Sequence, residues 1–400
     1  MKEMLFNKNR KIILVAAAMI VAGGIAWASM LLFGLYDTAN VGNAMSWGLL
    51  IAVFAFLVGF GAGSQFIASL IVLFKQDHLL PWATLAQVIA LAGGCGAGVA
   101  IIADLGSPWN MLAMILTPNP DSPLTWDMIA LTAFVVVSLI CLIALVRNWK
   151  STRMWMAIGL IVAVALQIVE GALFALQNAR LWWHSPVVVV DFIAVAFVCG
   201  LSLMTLLIAL SRKDETQKAL RLFARWLCFA IVLHLVFALI ELGILVSETT
   251  PAAVAVKNIL IQYLPLYLME LVLPLCAAVV LWVKRKDLSS KVCVGCSVAV
   301  ILGMFAHRMM LLYPALAGST LFVSLSNTSS PFWAYPVSTG LFGNQATAFA
   351  LVQLYAPSFV EWVSALMPIG LVLLISAIGM NVVYSLQKSK VKSASIPIRE

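Results

Sequence analysis

Ten apolar runs, each long enough to cross a lipid bilayer as a helix, follow one another along the 400-residue chain, and they constrain its fold more than any other feature. They lie roughly at 11–35, 45–74, 82–103, 125–146, 154–178, 186–211, 223–247, 259–283, 291–313 and 358–384. A helix needs about 20 residues to cross the hydrocarbon core; a strand of a membrane barrel needs about 10 and alternates in polarity. The chain is therefore predicted to be an all-α polytopic membrane protein with ten transmembrane helices. Only 10% of its residues are charged and 63% are hydrophobic, too few polar side chains to cover a water-facing surface.

Charge sets the orientation. If the ten spans are real, all but three of the 24 lysines and arginines fall on one side, the exceptions being Arg180, Lys257 and Arg308. This positive-inside pattern predicts that both termini are cytoplasmic. It also makes the net charge of +8 a record of topology, with no nucleic-acid partner implied. The first run is too long for a signal-peptide core and lacks an evident small-residue cleavage site, so it is expected to be a retained helix. The chain divides into 1–44 (N-terminal segment and helix 1), 45–178 (helices 2–5, with an outer loop at 104–127), 179–313 (helices 6–9), 314–357 (a long outer loop) and 358–400 (helix 10 and a cytoplasmic tail). The segment from about 313 to 357 has no Lys, Arg, Asp or Glu. It reads as a lid, a docking surface or a tail-like loop. No connection is large enough for a soluble catalytic domain, so chemistry in water belongs to another subunit.

Of seven cysteines, Cys95, Cys141, Cys199, Cys228 and Cys276 lie singly inside spans and read as small packing residues. Cys293 and Cys296 form a lone C-x-x-C, without the second pair or nearby histidines that a metal site needs. No metal site and no iron-sulfur cluster is predicted in this chain. Glycines crowd "GFGAGS" (Gly59, Gly61, Gly63) and "GGCGAG" (Gly93, Gly94, Gly96, Gly98), which predicts close helix packing.

Ionisable groups inside spans are costly and mark interior surfaces or water paths. Counted from the span ends, Asp104, Asp127, Glu170, Asp191, Glu241, His307, Arg308 and Glu361 fall in the outer third, and His234 and Glu270 near the middle. The inner half offers only amides and hydroxyls such as Ser64, Gln65 and Gln87. A transporter more naturally keeps its binding groups near the midplane, though a transporter or channel without redox activity remains the alternative. A pocket open to the outer leaflet suits an amphiphile whose head needs a hydrogen-bond donor and a proton acceptor. Quinones fit, because a quinol releases two protons with its two electrons and needs a carboxylate or imidazole near each hydroxyl. Arg308 either holds the head or neutralises an acid. His307 and Arg308, being adjacent, point about 100° apart on a helix and are not expected to reach the same ligand. No two histidines lie at matching depth on facing helices, so no haem is predicted.

The run "GLYDTANVGNAMSWGLLIAVFAFLVGFGAG" (34–63), "DLGSPWNM" with "PNPDSPLTWD" downstream, "HRMMLLYP" in helix 9 and "PSFVEW" before helix 10 resemble the ten-helix branch of the NrfD/PsrC family. That branch includes membrane subunits of alternative complex III, of some membrane hydrogenases and of sulfur-metabolism complexes. The resemblance covers most of the chain. It implies two four-helix bundles plus two extra helices. It also implies a haem-free, quinone-reactive subunit, inactive alone, that exchanges electrons between the membrane quinone pool (menaquinone or ubiquinone) and an extracytoplasmic ferredoxin-like iron-sulfur subunit. Through that subunit it would reach a molybdopterin-type or other redox partner, at the cytoplasmic membrane with the quinone site on the outer side. Asp104 stands first in the family's "HLGRPW"-like motif and Asp127 last in "SPLxWD". The candidate proton acceptors are Asp104, Asp127, Asp191 and Glu170; the candidate substrate-binding residues are Arg308, His307, Trp109 and Trp126, the two tryptophans at the interface. This chain has Asp104 and Ser107 where many relatives have histidine and arginine, and a carboxylate can take a quinol proton as imidazole can.

Overall fold

The structure, a computed structural model, describes residues 2–42, 45–178, 180–211, 217–317, 322–323, 333–334 and 354–394. Among them ten helices are long and apolar enough to cross a membrane, and each coincides with one of the runs read from sequence. In chain order the helices are α1 (Lys2–Phe33), α2 (Leu35–Ala39), α3 (Leu49–Leu73), α4 (Leu80–Asp104), α5 (Met111–Leu116), α6 (Pro123–Arg147), α7 (Thr152–Ala175), α8 (Pro186–Leu210), α9 (Gln217–Ser247), α10 (Pro251–Gln262), α11 (Leu264–Val283), α12 (Ser290–Leu316), α13 (Phe359–Ser364) and α14 (Leu366–Ala394). Most of the 313–357 segment lies outside the described residues; within it Phe322–Val323 pairs antiparallel with Trp333–Ala334.

Local chemistry explains where the helices begin. Proline opens α6, α8 and α10, where its missing N–H has no helical partner to lose. Ser185 and Thr250 then cap the backbone N–H groups of Val187 and Ala253. Two spans differ from the sequence reading. The seventh starts earlier, at Gln217. The eighth starts at Leu264 instead of about 259, because the chain breaks at Tyr263 just before Pro265 and the preceding residues form the separate, short α10.

Helix α3 is apolar on every side and buried along nearly its whole length, which is how a core helix reads. It packs against α4, α7, α8 and α12. Around it, α4 packs on α6 and α6 on α7, while α8, α9, α11 and α12 pack on one another; α1 lies against α14, which also touches α4. Glycines set the closest crossings. A Cβ on Gly93 would lie 2.8 Å from the Cα of Gly61, and one on Gly63 would collide with the backbone of Ala196 and Gly200. Thus the α3–α4 and α3–α8 contacts are backbone to backbone, as small residues allow in lipid. Gly98 faces open space and takes no part.

Glu361, which the sequence grouped with the other outer acids, fastens helix ends. Its side chain accepts from the Ser358 N–H at 2.9 Å while Ser358 Oγ accepts from the Glu361 N–H at 3.1 Å, a capping box. Its other oxygen accepts from the N–H of Leu49 at 3.2 Å, at the start of α3, and from the hydroxyl of Tyr355, which also accepts from Leu49 N–H at 2.7 Å. Burial raises the Tyr355 hydroxyl above the ordinary phenol range, so it remains protonated. Glu361→Ala is expected to destabilise the fold by about 2 kcal/mol, seen as a lower thermal midpoint in detergent. Turnover per assembled complex should stay unchanged, and a loss of turnover at unaltered stability would move Glu361 into the reactive site.

Candidate functional site

Buried ionisable side chains gather in two groups with Arg308 between them. The first lies among α3, α4, α6 and α7. There a cleft of about 300 Å³ is walled by Trp47, Ile51, Phe54, Leu131 and Phe174, with Met111 and Met114 of α5 alongside. Two acids enter this apolar lining: half-buried Asp104 at the end of α4, and fully buried Asp127 four residues into α6. The prolines of the 104–127 connection place them. They open a short 3-10 turn at Pro108–Asn110 and restart the chain as α6, and both acids line the same cleft. One oxygen of Asp127 has no hydrogen-bond partner among the described residues. Deeper in, Glu170 of α7 is fully buried and accepts from Gln167 Nε2 at 3.3 Å. It lies within electrostatic reach of Asp127 and Arg308.

The second group lies among α8, α9, α11 and α12 and forms a chain of alternating acids and imidazoles. His234 Nδ1 is 2.8 Å from Asp191 Oδ1; Asp191 Oδ2 is 3.5 Å from His307 Nε2; His307 Nδ1 is 2.9 Å from Glu270 Oε1. Glu241 lines the adjoining cavity of about 20 Å³ together with Asp191, Glu270, His307 and Tyr267, a space on the scale of one water molecule. Proline chemistry again sets the geometry. Pro274 lies one turn beyond Glu270 in α11, and Gly303 one turn before His307 in α12; a Cβ on Gly303 would sit 2.7 Å from the Pro274 ring. The missing side chain lets α12 close on the proline and brings Glu270 to His307. Gly303→Val is expected to separate that pair and cost about 1–3 kcal/mol through overpacking. Thermal unfolding checks the energy, and a normal midpoint would show that the crossing tolerates side-chain bulk.

Pro314 has a similar effect at the end of α12. It has no N–H for the carbonyl of Met310, and the indole of Trp182 donates to that carbonyl at 2.9 Å. Trp183 donates to Leu311 O at 2.5 Å and Arg180 to Ala315 O at 3.1 Å. The turn between α7 and α8 is thereby bound to α12 beside the second group.

Arg308 is 1% exposed. Its guanidinium carbon lies 4.0 Å from the centre of the Phe192 ring, and none of its three nitrogens has a hydrogen-bond partner among the described residues. His307 turns to Asp191 and Glu270, whereas Arg308 turns toward Phe192 and Gly59. Trp109 and Trp126 are exposed and do not line the cleft; the Trp126 indole donates to Pro120 O at 2.8 Å.

Two residues stand at a different level from their sequence reading. His234 and Glu270, assigned to mid-membrane, touch Asp191 and His307, assigned to the outer third. Depth counted from helix ends misleads because α9 is 31 residues long, about 46 Å, and α11 begins later than the hydropathy suggests. His234 and His307 also do share a level, contrary to the haem argument. Their rings meet edge to face with centroids 4.9 Å apart. His234, Glu270 and His307 offer ligand atoms within 4.8 Å of one another. This is the one group of three such side chains close enough to share an ion among the described residues. Further in, the polar groups carry no charge: Gln87 Nε2 donates to Gln65 Oε1 at 2.7 Å, and Ser138 Oγ to the same oxygen at 3.1 Å.

Fold and site together define a multi-pass helical membrane protein with an acid-lined apolar cleft near one end and a second, imidazole-bearing acid cluster beside it. The chain belongs to the NrfD family: the family model described as "Polysulphide reductase, NrfD" matches residues 37–318, a range holding every residue of both groups. It is similar to a putative membrane subunit of dimethyl sulfoxide reductase from Halobacterium salinarum, 29% identical over 213 residues, covering 48% of this chain and 49% of that protein. It is also similar to an Hdr-like menaquinol oxidoreductase integral membrane subunit of Archaeoglobus fulgidus, 22% identical over 166 residues, covering 41% and 42%. The chain thus spans about half the length, or less, of the curated relatives it matches.

Proposed function

We propose that this chain is the quinone-reactive membrane subunit of a respiratory redox complex, exchanging electrons between the quinone pool and an iron-sulfur partner on the outer face. The observation that carries this reading is the cleft between α3, α4, α6 and α7: apolar walls for a ring and isoprenoid tail, and two carboxyl groups in its lining, Asp104 and Asp127, to serve the two hydroxyls. On oxidation, a quinol's two electrons pass to the partner's clusters and its two protons to these carboxylates. Glu170 and the Asp191–His234–His307–Glu270 chain follow within the protein as further proton-holding groups, with Arg308 as a fixed positive charge between them. Quinone reduction is the same scheme reversed. The cation asymmetry supports cytoplasmic termini and an outward cleft, and the helix contacts support two four-helix groups with α1 and α14 outside them. The name of the Archaeoglobus relative favours menaquinol over ubiquinol.

The test is purification of the complex through a tag on this chain, followed by a menaquinol analogue. An iron-sulfur protein should copurify, and its clusters should be reduced by the quinol. The chain alone in liposomes should neither oxidise quinol nor pass solutes; solute flux from it would replace this reading with a transporter.

A further inference from the structure

At the cation-rich end of the molecule, opposite the acid-lined cleft, another cavity opens between the start of α9 and the end of α11. Its volume is about 390 Å³, and Arg221, Arg225, Arg285 and Lys286 line it. None of the four has a carboxylate partner among the described residues; the one polar contact among them is Arg285 Nη1 donating to Trp282 O at 3.3 Å, with its guanidinium 4.4 Å from the Trp282 ring centre. The positive-inside pattern explains cations at this end. It does not explain four converging on one hollow, since like charges so placed repel one another.

The floor of the hollow is apolar and its position is interfacial. Ala224, Leu281 and Leu288 are buried beneath the cations. Farther into the span, α9 and α11 expose Phe229, Val232, Val279 and Val280, a surface for hydrocarbon. Positive head above, aliphatic wall below, and an indole at the boundary match one class of ligand.

We propose that this cavity binds an anionic phospholipid, its phosphate held by Arg221, Arg225, Arg285 and Lys286 and its acyl chains lying along α9 and α11. Guanidinium groups bind phosphate through paired N–H donors, and basic pockets between helices on the cation-rich side take such headgroups. Free phosphate would satisfy the cations alone; the apolar floor and the exposed helix faces below favour the lipid.

The experiment uses the intact complex purified in neutral detergent. Phospholipid retained after washing is extracted and identified by mass spectrometry, with added cardiolipin, phosphatidylglycerol, phosphatidylcholine or inorganic phosphate as probes. The wild-type protein should retain an anionic lipid against phosphatidylcholine. Arg221→Gln/Arg225→Gln/Arg285→Gln should bind the anionic probes about a hundredfold more weakly, whereas Arg147→Gln/Lys150→Gln/Arg153→Gln, on the same side but away from the hollow, should not. Should the first triple variant fail to assemble, Arg221→Gln and Arg285→Gln are tested singly, each expected to weaken retention about fivefold. Equal retention of phosphatidylcholine, equal retention by wild type and variants, or full protection by inorganic phosphate alone would overturn the proposal. Quinol turnover is no part of the readout, so the result stands apart from the function proposed above.

Discussion

Asp104→Asn in the assembled complex is expected to lower quinol oxidation by about a hundredfold or more, the range lost when a positioned proton acceptor is removed. Asparagine keeps the size and hydrogen-bonding shape of the side chain but takes no proton, and half-buried Asp104 is not a packing residue, so assembly should be unaffected. Asp127→Asn should be equally severe, because each hydroxyl of the quinol needs its own acceptor. The double variant should be little worse than either single one, since loss of one proton transfer already stops turnover. Asp121, exposed in the middle of the same connection, serves as the control, and Asp121→Asn should be silent. Unchanged steady-state rates with a quinol analogue in a well-assembled Asp104→Asn complex would remove Asp104 from the chemistry.

Arg308→Met has the second large expected effect, on assembly as well as rate. Glu170 and Asp191 lie within electrostatic reach of Arg308, which is the sole arginine or lysine among the buried charged side chains of the described residues. Removing it leaves buried negative charge without its counterion, a change of about 3–5 kcal/mol for a buried charge partner. The yield of complex in membranes should fall sharply, and the assembled remainder should turn over slowly. Arg308→Lys keeps the charge and should restore yield, but not the full rate, since ammonium lacks the planar donor set. Normal yield and rate in Arg308→Met would mean the acids are protonated and need no cation.

Architecture was largely legible in the sequence because each span declares itself through its own hydropathy. Lateral neighbours leave no such local mark. Asp191 and His307 were picked out by their cost in lipid, yet nothing in linear order joined them to His234 and Glu270. Only the excess length of α9 and the break at Tyr263–Pro265 bring those two to the same level, and both depend on how helices lean on one another. Pro274 and Gly303, each one turn from an acid or imidazole, were visible as residues but not as a pair. The Ser358-x-x-Glu361 spacing was a readable signature of a helix start, and it would have separated Glu361 from the reactive acids without a structure. For the 104–127 connection, the prolines correctly mark the stop and restart of the helices that carry Asp104 and Asp127. The exposure of Trp109, in the 3-10 turn, and of Trp126, near the start of α6, depends on which face each element turns outward, which composition does not specify.

The uncharged amide and hydroxyl network of Gln65, Gln87 and Ser138 has an electrical consequence. Between the cation-rich end and the level of His234, the described core offers no group that gains or loses a proton near neutrality, so this part of the protein is a dielectric slab. In the proposed scheme, protons set free at the cleft leave on the side where they appear; because the electrons leave for a partner on that same face, quinol oxidation by this subunit moves no net charge across the membrane.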